Sequence, residues 1–173
     1  EMGREFFAQL RKLFPSEKIV FKEGNHEQRL ERYLFKNAPD IADLDALHLN
    51  ELLRMKEFKI DYVKNNQLIN VGKLSILHGN EFKTGSGGVY VARGLRLKAF
   101  DNILFGNFHK TQSDFQKDVN GKLYGGWSVG CLCDLSPKYM PFNQWNLGFA
   151  VIELMDNGNF SVENKKIIDG AVL

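Results

Sequence analysis

Cysteine and proline are scarce in this chain, with two Cys and four Pro among 173 residues, and long apolar runs are missing altogether. A membrane helix needs ~20 consecutive apolar residues, so the sequence predicts no membrane-spanning segment. The first ten residues carry Glu1 and Glu5 and no apolar signal core, and nothing there directs the chain to secretion. Cys131 and Cys133 stand two apart in Cys-Leu-Cys. On a strand they share a face, but same-strand neighbours are poorly placed for a disulfide, and a metal ribbon needs a second pair that is absent. The expectation is free, buried or half-buried thiols in a reducing cytoplasm. An excess of one charge is missing too. Lys+Arg number 23 against 21 Asp+Glu, a net charge of +2, which excludes a strongly basic DNA-coating protein while leaving nucleic acid open as a partner.

What is present is core material: 43% hydrophobic and 12% aromatic residues. That excludes wholesale disorder, a collagen-like fibre and a disulfide miniprotein. The length suits one domain spanning 1–173. Phe6, Phe7, Leu10, Leu13 and Phe14 form a helical stripe at the start, so the chain begins inside a helix. Lys18–Phe21 reads as a buried strand and Glu27–Phe35 as a charged helix. Lys59–Val63 and Gln67–Val71 read as a strand pair around Asn65-Asn66. Leu74–Leu77 and Asn102–Phe105 are short buried strands flanking a helix over Val89–Phe100, and Gly85-Ser86-Gly87-Gly88 reads as a flexible entry to that helix. Strands follow at Thr111–Gln116, Lys122–Val129, Gly148–Leu154 and Asn159–Glu163, with a hairpin at Asp156-Asn157-Gly158. The whole is one α/β domain. Arg93, Arg96 and Lys98 read as a solvated helix face. The stretch from Tyr139 to Trp145 reads as a packed satellite cluster, with a lid as the alternative.

Three of the four histidines lie in turns at strand ends: Gly24-Asn25-His26-Glu27, His78-Gly79 and Gly106-Asn107-Phe108-His109. In α/β sheets ligands bind outside the carboxyl ends of the strands, so this placement points to a site. Gly24-Asn25-His26-Glu27 resembles the Gly-Asn-His-Asp/Glu motif of calcineurin-like metallophosphoesterases. His78-Gly79 is similar to their isolated metal-binding His, and Gly106-Asn107-Phe108-His109 to their closing Gly-His-x-His.

The resemblance implies a four-layer αββα sandwich and two-metal hydrolysis of a phosphoester, such as a phosphodiester in nucleic acid. It implies that Asn25 and His78 hold one ion, with Asn107 as a weak third ligand, and that His109 holds the other. His26 then acts at the scissile phosphate, and Arg29, one turn further on, is the candidate for gripping substrate. Imidazole and amide donors suit Mn, Fe, Zn or Ni.

The sequence departs from the family in two places. Its Asp-x-His and Gly-Asp motifs, which carry the bridging carboxylate, are absent from these 173 residues, and Asn107 stands where the family has His. The expectations that follow are a domain incomplete at its N-terminal side, at most one weakly held transition ion, and self-association through the side left bare. A non-catalytic descendant serving binding or assembly is the alternative to the enzyme.

Overall fold

The computed structural model describes residues 1–82 and 88–173, and these fall into two compact units, 1–67 and 68–173. Gly85, Ser86 and Gly87, read above as a helix entry, lie outside the described residues.

In the first unit, α1 (Met2–Leu13) is followed by β1 (Ile19–Lys22), α2 (Gln28–Asn37) and the one-turn α3 (Pro39–Ala42). A 3-10 turn at Asp45–Leu47, α4 (Leu49–Leu52) and β2 (Ile60–Val63) complete it. Phe7 on the stripe of α1 packs with Met55 and Ile60, all buried, and the ring of Phe21 meets Phe7 edge-on at 5.6 Å. Arg11, in the last turn of α1, donates to the carbonyls of Phe14, Glu17, Phe58 and Lys59. A cation there suits the helix C-terminus and ties it to the segment leading into β2.

β1 and β2 pair in parallel, Ile19 opposite Ile60 through Lys22 opposite Val63. This corrects the expected pairing around Asn65-Asn66. The N–H of Asn65 donates to Glu23 Oε2 at 2.8 Å, and Lys22 Nζ donates to Asn65 O at 2.8 Å. The turn residues are thereby committed to the end of β1 instead of to a hairpin.

In the second unit, β3 (Ile69–Val71), β4 (Leu74–Leu77), α5 (Val91–Ala99), β5 (Ile103–Phe105), β6 (Gln112–Lys117) and β7 (Leu123–Ser128) come first. They build a five-stranded sheet in the order β3-β4-β5-β7-β6. β4, β5 and β7 are parallel neighbours, and β3 and β6 close the edges antiparallel. The remaining strands, β8 (Leu147–Leu154), β9 (Phe160–Ile168) and β10 (Ala171–Val172), form an antiparallel sheet. The expected Asp156-Asn157-Gly158 turn joins β8 to β9, with Gly158 at φ +75°.

The central strand β5 explains the layering. All three of its residues are buried, as a strand covered on both faces requires. Ile103 and Phe105 face α5, packing with Leu77, Val91 and Leu95. Leu104 points the other way, joining Leu74 and Trp127 against Ala150, Ile152, Phe160 and Val162 of the second sheet. Helix, sheet and sheet are thus stacked in three layers, and the α/β expectation holds. Gly126 lets the helix come close, since a Cβ there would lie 2.8 Å from the Ala92 carbonyl oxygen.

One helix residue departs from the sequence reading. Arg93 and Lys98 are exposed, but Arg96, expected on the solvated face, is 6% exposed. Its Nε donates to Asp114 Oδ2 at 2.5 Å and its Nη2 to Gln116 Oε1 at 2.8 Å. α5 lies against β6 and β7, so this side of the helix is covered.

Among the described residues no helix is long and apolar enough to cross a membrane.

Candidate functional site

Asn25, His26 and Arg29 belong to the first unit, and His78, Asn107 and His109 to the second. The turn after β1 is closed by Glu27, whose carboxylate accepts the Gly24 N–H at 2.9 Å. His26 and Arg29 are exposed, and Arg29 Nη2 lies 2.9 Å from His26 Nε2. An arginine has only hydrogens to give, so Nε2 accepts and the imidazole proton sits on Nδ1.

Beneath that turn Glu23 is buried, and it accepts hydrogen bonds from the Tyr62 hydroxyl and the Asn65 N–H. Burial, then the bond to Glu23, then the charge of nearby glutamates push the Tyr62 phenol far above its usual value. The folded state therefore favours the protonated phenol, and its contribution is complete below the unfolded value of ~10 and lost as pH rises beyond it. Tyr62→Phe is expected to cost ~1.5–3 kcal/mol, the usual worth of a hydrogen bond to a charged group. It should also flatten the alkaline loss of stability. Urea unfolding at neutral pH and at pH ~10.5 checks both; a variant as stable as the parent at neutral pH would refute the role of this bond.

In the second unit the carboxyl ends of the three parallel strands carry the polar residues. His78 follows β4, Gly106–His109 follows β5, and residues 129–133 follow β7. The ends are stitched together by main-chain bonds: Gly106 N–H to His78 O at 3.0 Å and Val129 N–H to Phe105 O at 2.8 Å. The Glu81 carboxylate fixes the first turn by accepting the N–H groups of His78 at 2.9 Å and Gly79 at 2.7 Å. Gly79 sits at φ +116°, and a Cβ there would be 3.2 Å from that of Asn107. The two turns can approach because that Cβ is missing.

His78 and Asn107, 29 positions apart, are brought into contact, Nε2 to Oδ1 at 3.2 Å. An amide oxygen only accepts, so Nε2 carries the hydrogen. Asn107 at φ +61° and His109 at φ +57° are both left-handed. Asn and His are among the few non-glycine residues that enter this region readily, and such residues gather at functional turns.

His109 meets sulfur. Its Nδ1 lies 3.7 Å from Cys133 Sγ, and the ligand atoms of His109, Cys131 and Cys133 all lie within 4.8 Å of one another. Trp145 meets the His109 ring edge-on with centroids 4.2 Å apart. Phe142 and Tyr139 are 97% and 72% exposed, which corrects the packed satellite cluster expected there. Asn146 organises the corner: its N–H donates to His109 O and its carbonyl accepts the Cys131 N–H, each at 2.9 Å. Its side chain exchanges hydrogen bonds with Thr111, 2.8 Å to the N–H and 2.7 Å to Oγ1.

The sequence reading missed Asn146 and both cysteines as site residues. A signal for the cysteines existed, because Cys131 comes just after the strand expected at Lys122–Val129, the same place the histidines occupy after theirs. Both cysteines are free, Cys131 half-buried and Cys133 exposed as a residue. Partial burial of the sulfur and then the adjacent Cys131 raise the Cys133 thiol above its ordinary value.

No family model and no curated protein matches this chain. Among solved structures, a single mutant of Vps29 from Entamoeba histolytica is 15% identical, covers 90% of this chain and 93% of its own, and has a TM-score of 0.41. Wild-type Vps29 from the same organism, complexed with Zn2+, is 14% identical, covers 69% and 71%, and has a TM-score of 0.42. At this degree of likeness the residues, not the neighbours, have to carry the function.

Proposed function

We propose that this chain is a metallophosphoesterase-type protein that engages a phosphoester with the help of a divalent cation, hydrolysing phosphodiesters such as nucleic acid. The observation that carries the reading is the contact of His78 with Asn107 at the ends of adjacent parallel strands, two motif residues brought together by the sheet. Within the first unit, His26 and Arg29 form a pair of their own that suits a phosphate group. An imidazole beside an exposed guanidinium offers a proton-transfer group next to an anchor for a phosphate oxygen.

The donor set does not fit the carboxylate-bridged pair of ions that the resemblance implies. Among the described residues no Asp or Glu joins a group of three or more His, Cys, Asp or Glu ligand atoms.

The same contact also favours a second reading, a non-catalytic descendant that binds or assembles. The hydrogen bond between Nε2 and Asn107 joins the two turns by itself, as a binding scaffold requires. Hydrolysis of bis-p-nitrophenyl phosphate with added Mn2+ separates the two. Metal-dependent turnover that falls ~100-fold or more in His78→Ala is expected of the enzyme, the size of a lost acid–base or ligating group. The absence of metal-dependent turnover in the parent chain would establish the binding reading instead.

A further inference from the structure

We propose that His109, Cys131 and Cys133 form a thiolate–imidazole site for one Zn2+ ion, separate from the His78–Asn107 pair and independent of any phosphoester activity.

The geometry is that of a site needing little rearrangement. Around a tetrahedral zinc, sulfur at about 2.3 Å and nitrogen at about 2.1 Å stand about 3.6 Å apart, and two sulfurs about 3.8 Å. The observed Nδ1–Sγ separation of 3.7 Å matches the first, and the spread of 4.8 Å over all three atoms leaves only a small contraction for the rest.

The three ligands are also held from outside. Trp145 packs on the imidazole, and the main chain of Asn146 bridges His109 to Cys131. The carbonyl of Cys131 accepts the Gly148 N–H at 3.0 Å, which pins the strand-like segment carrying both sulfurs to the start of β8.

The donor set selects the ion. Two thiolates offset the 2+ charge, which the His78–Asn107 pair cannot do. Soft sulfur with imidazole favours zinc over Mg2+, Ca2+ or Mn2+. An iron–sulfur cluster needs four protein ligands, either four Cys or the two Cys and two His of a Rieske centre, where this group has two Cys and one His. A blue-copper centre needs two His and one Cys, the inverse of this set. Three protein ligands leave the fourth position of a tetrahedral ion to water or to a donor from a partner, as in zinc sites that stay open.

Titration of the reduced 173-residue chain with Co2+ tests the site, followed by displacement with Zn2+. The expected result is one ion per chain, with a thiolate-to-cobalt charge-transfer band in the near ultraviolet and the visible bands of a tetrahedral ion. Zinc should abolish both bands and protect two thiols from Ellman's reagent. Cys133→Ser should weaken zinc binding beyond the ~100-fold that losing an outer partner costs. Because Cys133 is exposed, this variant keeps the fold, which circular dichroism verifies. His78→Ala should bind zinc as the parent does, so loss of turnover in that variant and loss of zinc in Cys133→Ser report on separate sites. A cobalt spectrum without the thiolate band, or equal affinity in Cys133→Ser and the parent, would overturn the proposal.

Discussion

Asp114→Ala is expected to cost about 3–5 kcal/mol, the price of leaving a buried charge without its partner. The side chain of Arg96 is 7% exposed and that of Asp114 27%, and they meet at 2.5 Å. Removing the carboxylate leaves the guanidinium with Gln116 Oε1 as its remaining acceptor in the pair's immediate contacts. The loss exceeds what the pair itself is worth, because the guanidinium keeps its charge at 7% exposure without the carboxylate that offset it. Replacing both residues together, Arg96→Met with Asp114→Leu, should cost far less, since no orphaned charge remains. Urea unfolding of the two variants and the parent is the measurement. A loss below ~1 kcal/mol for Asp114→Ala, the size of an exposed ion pair, would show that this helix side is wetter than its burial implies.

Phe105→Ala should be of similar size, about 3–5 kcal/mol, because a fully buried aromatic leaves a cavity that its surroundings refill only in part. The ring is met edge-on by Phe108 at 5.9 Å and packs with Leu77, Val91 and Leu95. It is also the last residue of β5, so the cavity opens directly under the turn that carries Asn107 and His109. Stability and ligand placement should therefore fall together. Thermal unfolding and the Co2+ titration, run on the same variant, check the coupling. A loss smaller than ~1.5 kcal/mol would mean that α5 collapses into the space.

These two positions mark where the sequence was readable and where it was not. Ile103-Leu104-Phe105 could be recognised as a covered strand because three consecutive apolar residues between polar turns leave no other face to expose. Arg96 could not be recognised as buried. Its helical spacing from Ala92 and Ala99 places it beside the apolar stripe, but the acid that justifies its burial is on β6, 18 positions later. Strand partners were similarly hidden. Lys59–Val63 and Gln67–Val71 each have the right composition, yet composition says nothing of whom a strand pairs with. The deciding contact, Asn65 N–H with Glu23, spans 42 positions.

Of the candidate site, the residues at each strand end were legible from their turns, and so was the meeting of His78 with a residue of the next motif. The association of His109 with sulfur was not. It arises because β7 pairs in parallel with β5, Phe105 opposite Ser128, which carries the segment holding Cys131 to the same end of the sheet. Cysteine spacing alone points to a lone pair of thiols, and only the crossover supplies the third donor.

The left-handed backbone at Asn107 has a consequence for how this turn can drift over generations. A φ of +61° excludes valine, isoleucine and threonine and leaves glycine, asparagine, aspartate and histidine as comfortable occupants. Except for glycine, these are also residues that can ligate a metal. Asparagine, aspartate and histidine codons differ from one another by a single base, so one point mutation converts any of them to another without passing through a misfolded intermediate. The gene can therefore gain, lose or retune a donor at position 107 while the protein keeps its shape.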